Sequence, residues 1–249
     1  MKAIIVAAGI GSRLGELTKH LPKPLVDVNG KSILERQISL FKKFGIDEIF
    51  IITGYKNDKI NFSNVNYIYN SDFRITEQIG SLMKAKKEIS NELIVSFGDI
   101  LFEEKILKTL LEKKGDFVLV CDPNWKKSYA DRTDNPPTQS DFIALQNNKI
   151  IKFFKNFNEI DNHHSAVEFI GLMKLSSSAS KIFLEKYTHL ENNHTGKFHF
   201  ASSFMMAKFI DFFEELLLSN VNMNILNVNG KWCEIDTKHD LEIAKKIFK

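Results

Sequence analysis

Short apolar runs alternate with amphipathic stretches through the first half of the chain. Apolar runs that break at glycine or a polar residue are typical of strands buried on both faces of a parallel sheet. They predict strands at 2–8, 49–52, 65–69, 93–97 and 117–121. Apolar residues at helical spacing predict helices over 32–44, 79–88 and 106–113. This alternation indicates βαβ units and therefore an α/β fold with a mostly parallel central sheet flanked by helices.

The pattern changes near residue 122. Residues 122–142 are polar, aromatic and rich in proline, which predicts a long loop or lid over a site. Further strands, the first two forming a hairpin, are predicted at 142–145, 150–154, 168–175, 223–228 and 232–235. Helices are predicted over 178–187, 202–219 and 237–248, the last with Thr237 as its N-cap.

No internal repeat or flexible linker interrupts the chain. We therefore expect one domain over 1–249, in which residues 122–175 contribute a small lobe that binds an acceptor. The apolar helix at 202–218 is either part of the core or a dimer face, so a homodimer remains open.

Composition narrows the functional classes. The chain has 249 residues with 43% hydrophobic and 26% charged, values that argue against disorder, collagen and a disulfide scaffold. A net charge of +3 is too weak to indicate nucleic acid as a partner. Cys121 and Cys233 lie far apart without a CxxC pair, which indicates a reducing compartment. No run approaches the roughly 20 apolar residues of a membrane span, so we expect no membrane partner and a cytoplasmic location.

A glycine loop, AAGIGSRL, follows the first predicted strand. Ligands of open α/β sheets bind at the carboxyl ends of strands, and glycines let backbone N–H groups approach phosphate oxygens. A simple tight turn is the alternative. A dinucleotide-binding motif is excluded because Leu14 stands where the third glycine belongs, and no Gly-Lys-Ser/Thr completes a Walker loop. The residues expected to contact a nucleotide here are Ala7, Ala8, Gly9, Gly11, Ser12 and Arg13.

A lysine between two prolines, Pro22-Lys23-Pro24, comes soon after this loop. Proline fixes its own φ, so the backbone around Lys23 is stiff and the side chain is aimed rather than mobile. Arg13 and Lys23 together are suited to bind a triphosphate and to neutralise charge that builds up as it is cleaved.

The stretch AAGIGSRLGELTKHLPKPLVDVNGKSILERQI resembles the signature of the nucleotidyltransferases that activate sugar phosphates and small phosphorylated alcohols. The glycine loop, Arg13, Lys23 and the following helix are all in register with that signature. The resemblance implies a Rossmann-like nucleotidyltransferase fold and catalytic roles for Arg13 and Lys23. The proline that the family usually has after Leu14 is absent, and Gly15-Glu16 stands there instead, which we expect to alter loop stiffness only.

Family members also carry an aspartate at the end of a central strand and another much later. Asp99 and Asp236 match these positions, so the resemblance implies that both bind Mg²⁺. The chemistry agrees, because Mg²⁺ prefers carboxylate and phosphate oxygens. The alternatives are a turn residue for Asp99 and a helix cap for Asp236. The histidines at 163, 164, 194 and 199 lack a ligand pattern and are interpreted as loop or polar residues.

Residues 77–82, EQIGSL, fall where the family places its base-reading segment. Gly80 and Ser81 are suited to approach a pyrimidine edge through backbone and hydroxyl groups. A plain helix N-terminus with Ser81 exposed explains the same residues equally well.

The segment from Asp122 to Asp134 resembles a D-x-x-W-x-x-x-Y-x-x-R-T-D pattern of cytidylyltransferases that handle phosphonates. Residues 168–172, EFIGL, resemble a strand of the same proteins. Arg132 is suited to bind the acceptor phosphate, and Trp125 and Tyr129 to form one wall around a cationic amine. Glu168 is then expected to be the counter-charge of that amine. A surface loop whose aromatic residues pack onto the core is the alternative. Lys155, rather than Lys152, is expected to reach a phosphate, although a solvated lysine face fits nearly as well.

These features predict a magnesium-dependent cytidylyltransferase. It would transfer CMP from CTP to the phosphate or phosphonate of a small amine-bearing acceptor and release pyrophosphate, for capsule or cell-surface modification. Phosphoglutamine, phosphocholine and aminoethylphosphonate are the acceptors considered. The alternatives are a sugar-1-phosphate nucleotidyltransferase using UTP or dTTP and a non-catalytic nucleotide-binding regulatory subunit.

Overall fold

A computed structural model describes residues 1–129, 134, 137, 140–155 and 165–249. Helices and strands alternate over most of its length. The strands are β1 (Lys2–Ala7), β2 (Asp27–Val28), β3 (Lys31–Ser32), β4 (Glu48–Thr53), β5 (Asn66–Tyr69), β6 (Leu93–Phe97), β7 (Ile100–Phe102), β8 (Phe117–Asp122), β9 (Phe142–Gln146), β10 (Lys149–Phe154), β11 (Ser165–Leu175), β12 (Met223–Asn227) and β13 (Trp232–Glu234). The helices are α1 (Glu16–Lys19), α2 (Ile33–Lys43), α3 (Gln78–Leu82), α4 (Glu104–Glu112), α5 (Trp125–Tyr129), α6 (Ser177–Asn193), α7 (Phe209–Leu218) and α8 (Lys238–Ile247).

The central sheet contains nine strands. Its main path runs β10-β9-β11-β6-β1-β4-β5, and β8 and β12 extend it from β11. β1 is parallel to both β4 and β6, whereas β11 is antiparallel to β6, β8 and β9. Every strand of this sheet except β10 and β11 therefore runs in one direction. The expected α/β fold with a mostly parallel sheet is confirmed.

β11 changes register where it crosses the sheet. The register shift lies between Phe169 and Met173 and includes Gly171, whose φ is +82°. A Cβ at Gly171 would lie 2.4 Å from the ring of Phe97, so only glycine fits at this irregularity.

Two ladders of hydrogen bonds bring distant parts of the chain to one edge of the sheet. Because β1 and β6 are parallel neighbours, the glycine loop after β1 and the Gly98-Asp99 turn after β6 leave the sheet side by side. β7 continues from that turn and pairs antiparallel with β13, which opposes Ile100 to Glu234. The residues after β13 therefore lie beside Asp99, whose carbonyl accepts from Ile235 N at 2.9 Å.

Several predicted elements have different bounds. The helix expected over 202–219 begins only at Phe209, because Asp211 accepts hydrogen bonds from the N–H groups of Lys208, Phe200 and Ala201 and holds the preceding chain in a turn. The segment 79–88 contains α3 and a short 3-10 helix, Met83–Ala85, and residues 125–129 of the expected loop form α5.

The apolar face of α7 is buried. Phe209, Ile210, Phe212, Phe213 and Leu216 all belong to the largest hydrophobic cluster, so this face is core rather than a dimer face. No helix within the described residues combines the length and the apolar character needed to cross a membrane.

Candidate active site

A cavity of about 530 Å³ opens at the carboxyl ends of β1 and β6. The glycine loop, the lysine segment, the chain around α3, the Asp99 turn, β11 and β13 all contribute to its walls. The residues singled out from the sequence that line it are Ala8, Gly9, Gly11, Ser12, Arg13, Lys23, Ser81, Asp99, Glu168 and Asp236. Ala7, Gly80, Trp125, Tyr129 and Lys155 do not line it, and Arg132 lies outside the described residues.

The glycine loop is shaped by its contact with the lysine segment. Gly11 has φ +67°, and a Cβ there would lie 2.7 Å from the Cβ of Lys23, so the loop can pack this closely only with glycine. At Gly9 a Cβ would meet no heavy atom within 4 Å. The backbone at Gly9 is therefore open to the cavity, as the approach of a phosphate requires.

Gly15 leads from this loop into α1 as its N-cap and has φ +59°, a conformation that favours glycine.

Lys23 lies at the centre of the charged groups. It is only 6% exposed, and its Nζ donates to Asp99 Oδ2 at 2.7 Å and to Asp236 Oδ1. Arg13 donates to the other oxygen of Asp236 at 2.5 Å. Burial by itself lowers the pKa of Lys23, but attraction to Asp99, Asp236 and Glu234 outweighs it, so that the pKa is raised and the ammonium stays charged.

Glu234 is a third carboxylate in this group and was not among the residues predicted from the sequence. One oxygen from each of Asp99, Glu234 and Asp236 lies within 4.8 Å of the other two. Burial and repulsion from Asp236 and Asp99 raise the pKa of Glu234 well above its ordinary value. The sequence did offer one signal for Glu234, its spacing of two residues from Asp236, since residues two apart in an extended segment point to the same side.

The three carboxylates fit a hard divalent cation. Asp99 Oδ1 is buried and has no hydrogen-bond partner among the described residues, so it is available as a ligand. Carboxylate oxygens are the donors that Mg²⁺ prefers. The helix-cap alternative for Asp236 does not hold, because Thr237 caps α8 and accepts from Asp240 N at 3.2 Å.

The segment around α3 contributes polar side chains to the cavity wall. Thr76, Gln78 and Ser81 line it, and Asn70 Nδ2 donates to the hydroxyl oxygens of Thr76 and Ser81 at 3.0 Å each. Ser81, which accepts one of these hydrogen bonds, is buried rather than exposed. Gly80 instead faces the protein, where a Cβ would lie 2.9 Å from Thr76 and 3.3 Å from the carbonyl of Met205.

The aromatic residues of α5 are placed differently from the expected amine wall. Trp125 is 3% exposed, its ring centroid lies 4.6 Å from that of Phe142, and its Nε1 donates to the carbonyl of Ala166 at 3.1 Å. Aromatic side chains at i and i+4 of one helix turn share a face, and here that face packs onto the sheet. Tyr129 is likewise buried, and its hydroxyl donates to Glu168 Oε1 at 2.6 Å.

Glu168 and Asp141 add two further acidic groups to the lining of the cavity. Glu77 lines it as well. Burial, offset only partly by Lys208 and Lys155, raises the pKa of Asp141 to about 6. Asp141 and Glu77 were not singled out from the sequence, because nothing in their local pattern distinguishes them from surface carboxylates.

The expected phosphate-binding lysine does not face the cavity. Lys155 Nζ lies 3.7 Å from the buried Asp211 and over the ring of Phe200. Neither Lys155 nor Lys152 lines the cavity, whereas Lys208 does. His194 and His199 contact Lys197 and Glu215 away from it, and residues 163 and 164 lie outside the described ranges.

Known proteins with similar sequences cover part or nearly all of this chain. The profile described as a MobA-like NTP transferase domain matches residues 3–131. A CTP:phosphoglutamine cytidylyltransferase of Campylobacter jejuni is 31% identical over 98% of this chain and 98% of its own length. A choline-phosphate cytidylyltransferase of Streptococcus pneumoniae is 36% identical over 41% of this chain and 47% of its own length.

A solved structure shares the fold along the whole chain. The CTP:phosphocholine cytidylyltransferase from Streptococcus pneumoniae matches with a TM-score of 0.73 and covers 100% of this chain and 99% of its own. Its sequence is only 21% identical over that match, so this likeness concerns the arrangement of helices and strands.

Proposed function

The chain belongs to the family of MobA-like NTP transferase domains, and from this we propose that it is a metal-dependent cytidylyltransferase. It would transfer CMP from CTP to the phosphate or phosphonate of a small amine-bearing acceptor. The observation that carries the proposal is the ammonium of Lys23, held between Asp99 and Asp236 beside the open glycine loop. The similarity to a CTP:phosphoglutamine cytidylyltransferase over nearly the whole chain supports CTP as the donor.

The reaction needs one bond to form and one to break. An anionic oxygen of the acceptor attacks the α-phosphorus of CTP, and the bond from that phosphorus to the bridging oxygen of the β-phosphate breaks. Pyrophosphate leaves with the electron pair. The nucleophile is already charged, so no residue has to remove a proton, and catalysis consists of positioning and charge neutralisation. Arg13 and Lys23 supply positive charge at the triphosphate end of the cavity.

Asp99, Glu234 and Asp236 are the residues that would hold Mg²⁺. When bound, the ion would neutralise phosphate oxygens and orient the α-phosphate. Asp99 and Asp236 also hold the ammonium of Lys23 when no ligand is present, and Lys23 lines the cavity that would receive the triphosphate.

The acceptor is proposed to carry a cationic amine, because Glu168, Asp141 and Glu77 line the cavity in addition to the three carboxylates of the proposed metal site. Phosphoglutamine is the first acceptor to test, since the relative matched along its whole length is named for it. Phosphocholine and aminoethylphosphonate have the same combination of amine and phosphorus oxyanion. Arg132, outside the described residues, remains the proposed partner of the acceptor phosphate. The activated product would supply capsule or cell-surface modification.

Pyrophosphate release tests the proposal. CTP, UTP, dTTP, ATP and GTP would each be combined with Mg²⁺ and with phosphoglutamine, phosphocholine, aminoethylphosphonate or glucose-1-phosphate. We expect turnover with CTP and an amine-bearing acceptor, and none in the matched Asp99→Asn variant. Turnover only with UTP or dTTP and the sugar phosphate would contradict the proposed donor and acceptor. If no pair reacts, absence of CTP binding by calorimetry would contradict the nucleotide site itself.

A further inference from the structure

Gln37 is a buried amide whose hydrogen bonds all go to one short segment. It belongs to α2, is 2% exposed and does not line the active-site cavity. Its Nε2 donates to the carbonyl of Phe97 at 2.8 Å and to the carbonyl of Ile100 at 2.7 Å. Its Oε1 accepts from Ser96 Oγ at 2.9 Å. Both amide hydrogens and the carbonyl oxygen are therefore used on residues 96–100.

That segment is the turn that carries Asp99 from β6 into β7. The turn is also held through its other backbone groups, since Gly98 N donates to Val6 O at 2.8 Å and Asp99 O accepts from Ile235 N at 2.9 Å. A Cβ at Gly98 would lie 2.8 Å from that of Ala7, so the turn is pressed against β1 on this side. Gln37 holds the opposite side, where it bridges the carbonyls that flank Gly98 and Asp99.

We propose that Gln37 is a positioning residue for the metal site. It sets the orientation of the turn so that Asp99 faces Glu234 and Asp236. The inference rests on the proposed function, because it assumes that these carboxylates hold a divalent cation. Mg²⁺ demands near-ideal octahedral geometry, and groups that orient metal ligands from behind typically change affinity by about 10- to 100-fold when they are removed.

The test replaces the amide without emptying its site. Gln37→Met keeps the length of the side chain but donates nothing, and Gln37→Asn keeps an amide that is one methylene too short to reach both carbonyls. Ser96→Ala is the matched control, because it removes the partner of Oε1 and leaves both donations to the turn. Mn²⁺ binding in the presence of CTP is measured by electron paramagnetic resonance at a temperature where every variant is folded.

We expect both Gln37 variants to raise the Mn²⁺ dissociation constant by about 10-fold or more, and Ser96→Ala to change it less than twofold. In activity assays the two Gln37 variants should need more Mg²⁺ than the wild type and Ser96→Ala. Their KM for the acceptor should stay close to that of the wild type. A merely structural role would lower the urea midpoint and leave Mn²⁺ affinity unchanged. That result in either folded variant would overturn the proposal.

Asp99→Asn separates this inference from the proposed function. If Asp99→Asn loses Mn²⁺ binding and the Gln37 variants keep it, only the role of Gln37 is refuted. If the wild type binds no Mn²⁺, or binds it as well as Asp99→Asn, the metal site of the proposed function fails.

Discussion

Lys23→Met removes the ammonium group that contacts both Asp99 and Asp236. Methionine has nearly the same length, so the packing against Gly11 is kept and the charge is lost. The two carboxylates then face each other and Glu234 with Arg13 as the remaining cation. Removing one partner of a buried ion pair typically destabilises a protein by about 3–5 kcal/mol, because a buried charge is left uncompensated.

The expected value lies near the lower end of that range. The Asp99 side chain is 27% exposed, and Arg13 still contacts Asp236. We therefore expect a loss of about 3 kcal/mol in the free energy of unfolding. For a chain of this size, 1 kcal/mol shifts the melting temperature by about 2–4 °C, so the midpoint should fall by about 6–12 °C. The deficit should shrink at low pH, where the carboxylates can take up protons.

Thermal unfolding of the metal-free protein at pH 8 and pH 5 measures this effect. Lys19→Met is the matched control, because its side chain is 59% exposed and its contact with Glu16 is on the surface. That variant should stay within about 0.5 kcal/mol of the wild type. Equal midpoints for the two lysine variants at pH 8 would refute the reasoning. The catalytic efficiency of Lys23→Met with CTP should also fall by about 100- to 1,000-fold.

Three further variants test other parts of the site. Asp236→Asn should lose pyrophosphate release by more than about 100-fold while its circular dichroism spectrum is kept, and full activity would contradict the metal assignment. Trp125→Phe should lower the free energy of unfolding by about 1–3 kcal/mol, because the carbonyl of Ala166 loses its hydrogen-bond donor. The acceptor KM should not change in this variant, and a raised KM would indicate that Trp125 contacts the acceptor after all. The folded protein holds a proton on Asp141 with a pKa of about 6, against 3.8 unfolded, so the wild type should lose stability relative to Asp141→Asn as the pH rises from 3.8 to about 6. If the difference in urea midpoint between the wild type and Asp141→Asn stays constant over that pH range, the burial of Asp141 is contradicted.

The core of the site was predictable because its parts lie at the ends of buried strands. Asp99 follows β6 and the glycine loop follows β1, and strands that run parallel bring such ends together. Lys23 adds a local signal, since two prolines fix the backbone on either side of it. Each of these features can be recognised within a few residues of the chain.

Features that depend on pairing between distant segments were not predictable in this way. Glu234 is brought to the site by the pairing of β13 with β7, whose register the local sequence does not specify, so its spacing from Asp236 was the one available signal. The spacing of Trp125 and Tyr129 predicts that they share a face, but the same spacing fits a buried face and an exposed one equally well. Their burial follows from Phe142 and Phe154 on the sheet beneath them.

The ion pairs of Lys23 also bear on the order in which ligands assemble. Lys23 occupies Asp99 Oδ2 and Asp236 Oδ1, so a cation that takes these two oxygens displaces its ammonium, and a triphosphate that attracts the ammonium releases the same oxygens. Each ligand therefore removes the competitor of the other. Because linkage is reciprocal, the cation should tighten nucleotide binding by the same factor by which the nucleotide tightens cation binding. Either ligand alone exchanges one set of ion pairs for another, and only the two together add interactions that the empty site lacks.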